Sequence, residues 1–239
     1  MLPDFTVFFQ EYEALAAEMD RVFASLQEQY PGEVACELGC SDCCYALFDL
    51  SLVEAVYISR IFREQAPQKD REAILERADQ TDRTVHQIKY RVHKSRQKGE
   101  DTEKILQEVG KKRVRCPLLT DENRCYLYAA RPVNCRLYGL PLSIGGEVHA
   151  CSFSGFKPGG QYPTVYMDRI QDRLLDISHR MAASIPTKYT KLGDIMVPLS
   201  MALLTEYDEN YLGIVESAPE ECSSGGAMQW TAGGGEGSR

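Results

Sequence analysis

This sequence predicts a mainly α fold: a helical domain that carries an irregular, cysteine-rich metal-binding insert and one short β-hairpin. Three observations predict it. Apolar residues recur every three or four positions over most of the chain, the texture changes to Gly, Pro and Cys between 111 and 160, and eight of the nine cysteines gather in two segments, 33–46 and 111–155.

The elements follow in order. Phe5, Phe9, Tyr12, Leu15, Met19, Val22, Leu26 and Tyr30 make residues 4–30 an amphipathic helix, which Pro31-Gly32 stops. Ser51 and Glu54 have the spacing of a capping box, in which each side chain satisfies an orphan N–H at a helix start, so a helix over 51–65 is expected. Ile74, Ala78, Val85, Ile88 and Val92 mark a long polar-faced helix over 69–98, and Gly99 separates it from a shorter one around 101–110. Leu140, Leu142 and Ile144, then Val148 and Ala150, alternate about Gly145-Gly146, the pattern of a short hairpin leading to Cys151. Helical spacing resumes at Ile170, Leu174, Ile177 and Met181, and again around 196–205. Residues 1–215 read as a single helical cysteine-cluster domain, and 216–239, aperiodic and rich in Gly and Ser, as a disordered tail.

Composition narrows the function. A chain of 239 residues, 44% hydrophobic and 26% charged, can bury a core of its own without disulfide staples. A net charge of -8 argues against nucleic acid as a partner, since displacing phosphate counterions needs a basic excess. Lys89, Arg91, His93, Lys94, Arg96 and Lys98 form a basic run, but at helical spacing and without an aromatic ladder, which reads as a solvated helix face. The N-terminal stretch has no basic leader and no uninterrupted apolar run, so neither a signal peptide nor a membrane span is expected, and the location expected is cytoplasmic. In a reducing compartment, clustered cysteines are better explained as metal ligands than as disulfides.

The expected ligands are Cys36, Cys40, Cys43, Cys44, Cys116, Cys125, Cys135 and Cys151. Eight thiolates are what two four-thiolate sites require, whether tetrahedral zinc or iron-sulfur cubanes. Successive residues point in different directions, so Cys43 and Cys44 serve two neighbouring sites, or one of them bridges a binuclear site. Buried thiolates without metal would repel strongly, because even one unpaired buried charge costs several kcal/mol. Arg113, Arg115, Arg124, Arg131 and Arg136 lie among the downstream cysteines and have two readings, donors to the sulfurs or plain solubility.

Other constellations are thin. His149 is a structural residue or an alternative ligand, His86, His93 and His179 fall on helices as surface residues, and Tyr126, Tyr128 and Tyr138 with Arg131 line a small pocket or pack the metal knot. No P-loop, dinucleotide fingerprint or serine elbow is present.

Cys36-x3-Cys40-x2-Cys43-Cys44, then Cys116-Pro117-Leu118-Leu119, Cys125-Tyr126-Leu127-Tyr128 and Arg131-Pro132-Val133-Asn134-Cys135-Arg136 together resemble the CxxCxxCC cysteine-cluster family, the YkgJ-type zinc- or iron-chelating domain. The resemblance covers about residues 33–151, with one departure: the first gap is three residues where the family's name has two. It implies metal chelation in a cytoplasmic bacterial protein. The cysteine pattern is also similar to that of flagellin lysine N-methylases, which implies a role in modifying a protein partner, and it supplies no catalytic residues. Cys36-x3-Cys40-x2-Cys43 matches the spacing of radical S-adenosylmethionine enzymes as well, but those place the triad after the first strand of a βα barrel, and here it follows a helix. Gly145-Gly146-Glu147 reads as the hairpin turn rather than as a cofactor motif.

The expected function is therefore metal binding by an eight-cysteine centre in a structural, redox or accessory role, with metal ions as the partners. The alternative is an enzyme that modifies a protein partner. Cys116-Pro117 is ferredoxin-like, while structural four-cysteine sites in reducing compartments are commonly zinc, so both cofactors stay open. Cys222, alone in the tail, would surrender much chain entropy to reach the centre. Truncation after Val215 should leave the metal content per chain unchanged; a loss of metal would make the tail a working part.

Overall fold

The computed structural model describes residues 3–37, 39–101, 105, 108–157 and 159–215. The fold is mainly α. Its helices are α1 (Thr6–Gln29), α2 (Leu52–Gln65), α3 (Gln68–Gln97), α4 (Val133–Leu137), α5 (Met167–Ala183), α6 (Leu199–Leu204) and α7 (Glu209–Leu212). Two small sheets join them. One pairs β1 (Asp49–Ser51) antiparallel with β5 (Met196–Pro198), and the other has the order β3 (Glu147–His149), β2 (Leu142–Ile144), β4 (Val165–Tyr166).

The periodic stretches form the helices for the reason that their spacing gives. α1 buries Phe9, Tyr12, Leu15, Ala16, Met19 and Leu26 on one face and ends at Tyr30, before Pro31. α2 is buried nearly all round, from Leu52 to Phe62, and packs against α1, α5 and α6. α3 runs 30 residues with only Ile74, Ala78 and Val85 buried, which is why its sequence is mostly polar. Residues 105 and 108–110 are helical, within the expected 101–110 segment. The hairpin turns on Gly145 and Gly146 at φ 59 and 85, the left-handed pair that a two-residue turn between β2 and β3 requires.

Two features depart from the sequence expectation. Residues 196–198 are not helical: they pair with Asp49, Leu50 and Ser51 before α6 begins at Leu199, and β4 adds a parallel partner to β2 that local periodicity cannot announce. Among the described residues, no helix is long and apolar enough to cross a membrane. The tail 216–239, with Cys222, lies outside the described residues.

The capping box at Ser51 does more than start α2. Glu54, 1% exposed, accepts at Oε2 from the Ser51 N–H (3.2 Å) and hydroxyl (3.1 Å), and at Oε1 from the Val133 N–H (3.1 Å). One carboxyl thus fastens the start of α2 to the start of α4, across 79 positions of sequence. Burial outweighs these donors and pushes the Glu54 carboxyl above its ordinary pKa. Replacing Glu54 by Ala leaves the Val133 N–H buried and unmet and should cost about 1–3 kcal/mol in denaturant unfolding. Because the folded protein holds the Glu54 proton more tightly than the unfolded chain does, stability should fall as pH rises from the ordinary glutamate range through the raised value. That component of the pH dependence should vanish in Glu54→Ala.

Candidate metal centre

A cavity of about 690 Å³ has Cys36, Cys40, Cys43, Cys44, Cys116, Cys125, Cys135 and Cys151 in its wall, all eight of the expected ligands. They arrive on several supports. Cys36 and Cys40 lie on the loop after α1, and Cys43 and Cys44 on the 3₁₀ turn Asp42–Tyr45, closed by the Cys44 N–H on the Ser41 carbonyl (2.9 Å). The downstream segment is stitched to this turn by the Cys116 N–H on the Cys44 carbonyl (2.7 Å) and the Val114 N–H on the Tyr45 carbonyl (3.2 Å). α3 steadies it from behind, where Arg77 donates to the Pro117 carbonyl (3.1 Å) and Thr81 to the Arg115 carbonyl (3.1 Å).

Cys125 stands opposite Leu119 across a one-residue bridge, and Cys135 lies in α4, which Glu54 anchors. Cys151 follows the hairpin on a strap held down by the Gly155 N–H on the Glu33 carbonyl (2.8 Å) and by Phe156 against Tyr30 and Tyr162. Gly155 has to be glycine: a Cβ there would stand 2.8 Å from the Gly32 carbonyl oxygen.

The sulfurs interact as one set. Hydrogen bonds from the Cys135 and Cys44 thiols hold the Cys43 thiol well below its ordinary pKa, and both donors are raised in turn. Burial pushes Cys36 up to about 11 and Cys116 up to about 12. Burial also raises Cys125 and Cys151. The charge of Cys43 acts on Cys36, Cys44, Cys116, Cys125 and Cys135, whereas Cys36 feels Cys40 and Cys151 besides. Cys43 is thus tied by hydrogen bonds to both Cys44 and Cys135.

Among the described residues, no three His, Cys, Asp or Glu side chains stand together at a spacing that holds a metal ion. Ligation requires the thiols to draw inward from the cavity wall. The donor chemistry fits such a group, with eight thiols on one cavity, and so does a cradle at Gly139: its φ is 102, and a Cβ would lie 2.4 Å from Cys36 Sγ.

The arginines divide. Arg113 pairs with Asp42 (2.5 Å), Arg115 donates to the Leu119 carbonyl (3.1 Å), and Arg136 donates to Asp20 and to the Arg131 carbonyl (2.9 Å). These side chains serve carboxylates and carbonyls. Arg115, Arg124, Arg131 and Arg136 all line the cavity, and Arg131 shares Asp20 with Arg136.

Tyr128 and Tyr138 line the cavity, whereas Tyr126 turns away to Asp70 (3.0 Å). His149 is exposed on β3, 3.9 Å from Glu147 and off the cavity wall. His86 and His93 are exposed on α3, and His179 meets Asp194 (2.6 Å).

Asp42 is the residue that sequence reasoning missed as a part of the site. It is 6% exposed and accepts at Oδ2 from the Tyr138 hydroxyl (2.8 Å) and the Cys151 thiol (3.4 Å). Burial opposes its charge, but Arg113, Tyr138 and Cys151 together hold its carboxyl below the ordinary value. An acid set between Cys40 and Cys43 was the only signal.

No family model, curated protein or solved structure matches the chain. Gly139→Ala should push Cys36 out of the cavity wall. The variant should show faster alkylation of Cys36 in the metal-free protein and a lower metal content per chain, read by mass spectrometry; unchanged labelling at Cys36 would remove the cradle.

Proposed function

We propose that this protein binds metal through Cys36, Cys40, Cys43, Cys44, Cys116, Cys125, Cys135 and Cys151, holding zinc or an iron-sulfur cluster in a structural, redox or accessory role. Its kinship on this reading is with the CxxCxxCC cysteine-cluster family. The observation that carries it is the meeting of all eight thiols on one cavity from two distant segments. Burial without metal leaves most of these thiols hard to ionise, and a bound cation supplies the charge that turns them into ligands. Within the centre, Asp42 and Tyr138 steady Cys151, and the Tyr138 carbonyl steadies Cys36 (3.4 Å). A reduced set of thiols suits the cytoplasm.

A second reading, an enzyme acting on a protein partner, has one observation in its favour. The sixteen core atoms of two cubanes, each given no more than a water's share of about 30 Å³, fill about 480 Å³. The cavity has about 690 Å³, and Phe23, Leu47, Phe48, Val85 and Leu199 extend its wall beyond the thiols. The remainder is large enough to admit a small molecule or a side chain of a partner.

Anaerobic purification with metal analysis, and with absorbance read near about 400 nm, tests the first reading. Two zinc ions per chain without colour, or iron and sulfide with it, are the expected outcomes; a chain that takes up neither sinks the proposal. Metal and fold should also be coupled. A four-thiolate site contributes on the order of 10 kcal/mol to folding, far more than a lone hairpin supplies. Chelation should therefore strip hydrogen-exchange protection from 111–160 before α1 and α5, and protection that survives around Cys116 to Cys151 would make the metal incidental to the fold.

A further inference from the structure

We propose that the Nε–H of Arg131 is the hydrogen-bond donor to a metal-held sulfur of the centre, and that it fixes how tightly and with what electronic character the metal is held. The inference rests on the metal-binding reading above. Arg131 directly follows the 3₁₀ turn Tyr128–Ala130, and its side chain lines the thiol cavity. The guanidinium is fixed on two sides. It donates from Nη2 to Asp20 on α1 (3.2 Å), and its central carbon sits 4.1 Å from the centre of the Tyr128 ring.

Held this way, its Nε is buried and has no hydrogen-bond partner among the described residues. A buried donor left unmet costs free energy; Arg71 Nε is likewise unmet but lies off the cavity wall, whereas Arg131 lines it. The other arginines of the segment are not equivalent. Arg113, Arg115 and Arg136 are committed to Asp42, to the Leu119 carbonyl and to Asp20, and Arg124 is exposed, so that water satisfies it.

Charge agrees with the assignment. Asp20 is shared by Arg131 and Arg136, which leaves an excess positive charge on this wall, and the charge of Arg131 acts on Cys36, Cys43 and Cys125. Metal-bound thiolates keep excess electron density and accept N–H groups, and such bonds orient the ligand and tune the metal.

Cobalt(II) is the probe, loaded anaerobically into the metal-free full chain and read by the thiolate-to-cobalt charge-transfer band and by competition with a chromophoric chelator. Arg131→Lys keeps the positive charge but lacks the Nε–H, and Arg131→Met lacks both. Both variants should bind the wild-type number of ions, with affinity lower by about 10–100-fold and the band moved to longer wavelength as the sulfur loses its donor. A merely structural role would lower the melting temperature without moving the band. Wild-type affinity and band in Arg131→Lys would mean that charge alone acts, and this overturns the hydrogen bond; wild-type behaviour in both variants overturns it as well. If Arg131→Met does not fold, the lysine variant decides. A wild-type chain that shows no thiolate-to-cobalt band is a different failure, that of the metal-binding reading itself.

Discussion

The backbone bond from the Cys116 N–H to the Cys44 carbonyl (2.7 Å) is the point on which the site depends. It joins two segments that the chain separates by α2 and α3, and it does so with main-chain atoms, which side-chain motion cannot loosen. Closing so long a loop costs entropy that one hydrogen bond cannot offset alone, so the rest of the fold supplies it. α2 is buried almost all round, and α3 packs against α6 while giving the returning chain a rail in Arg77 and Thr81. The thiols thus stand on elements placed by a hydrophobic core that extends from Phe5 to Leu212.

The long helices were legible because periodicity is a local property: α1, α2, α3 and α5 are read from residues a few positions apart, and so are the capping box and the two-glycine turn. The eight cysteines were legible for another reason, the rarity of the residue type and its count. What stayed hidden is what tertiary pairing creates. β1 and β5 are three residues each, too short to carry an alternation, and their pairing joins positions 49–51 to 196–198. The second role of Glu54 needed Val133 in space, and the work of the arginines needed the positions of Asp20, Asp42 and the carbonyls.

The cations around the centre show why a metal suits it. Arg113 is neutralised by Asp42, while Arg131 and Arg136 share one carboxylate, and the positive charge this leaves does not offset the burial of most of the thiols. Most of the cysteines are accordingly raised, and only Cys43, with two thiols donating to it, is lowered. The fold has gathered thiols without gathering enough charge to ionise most of them. On the proposed reading, the missing charge is the incoming ion.

The adjacent pair Cys43-Cys44 then has a geometric meaning. A 3₁₀ turn advances about 120° per residue, so neighbouring side chains on it diverge by about a third of a circle. Cys43 and Cys44 occupy such a turn, Cys44 buried and Cys43 half-buried. An extended segment would throw the two thiols to opposite faces, whereas an α-helical one, at about 100° per residue, would set them much as this turn does. On the proposed reading, the turn sets them at an angle that lets adjacent residues belong to neighbouring ligand sets, so the doubled cysteine is not a redundant ligand.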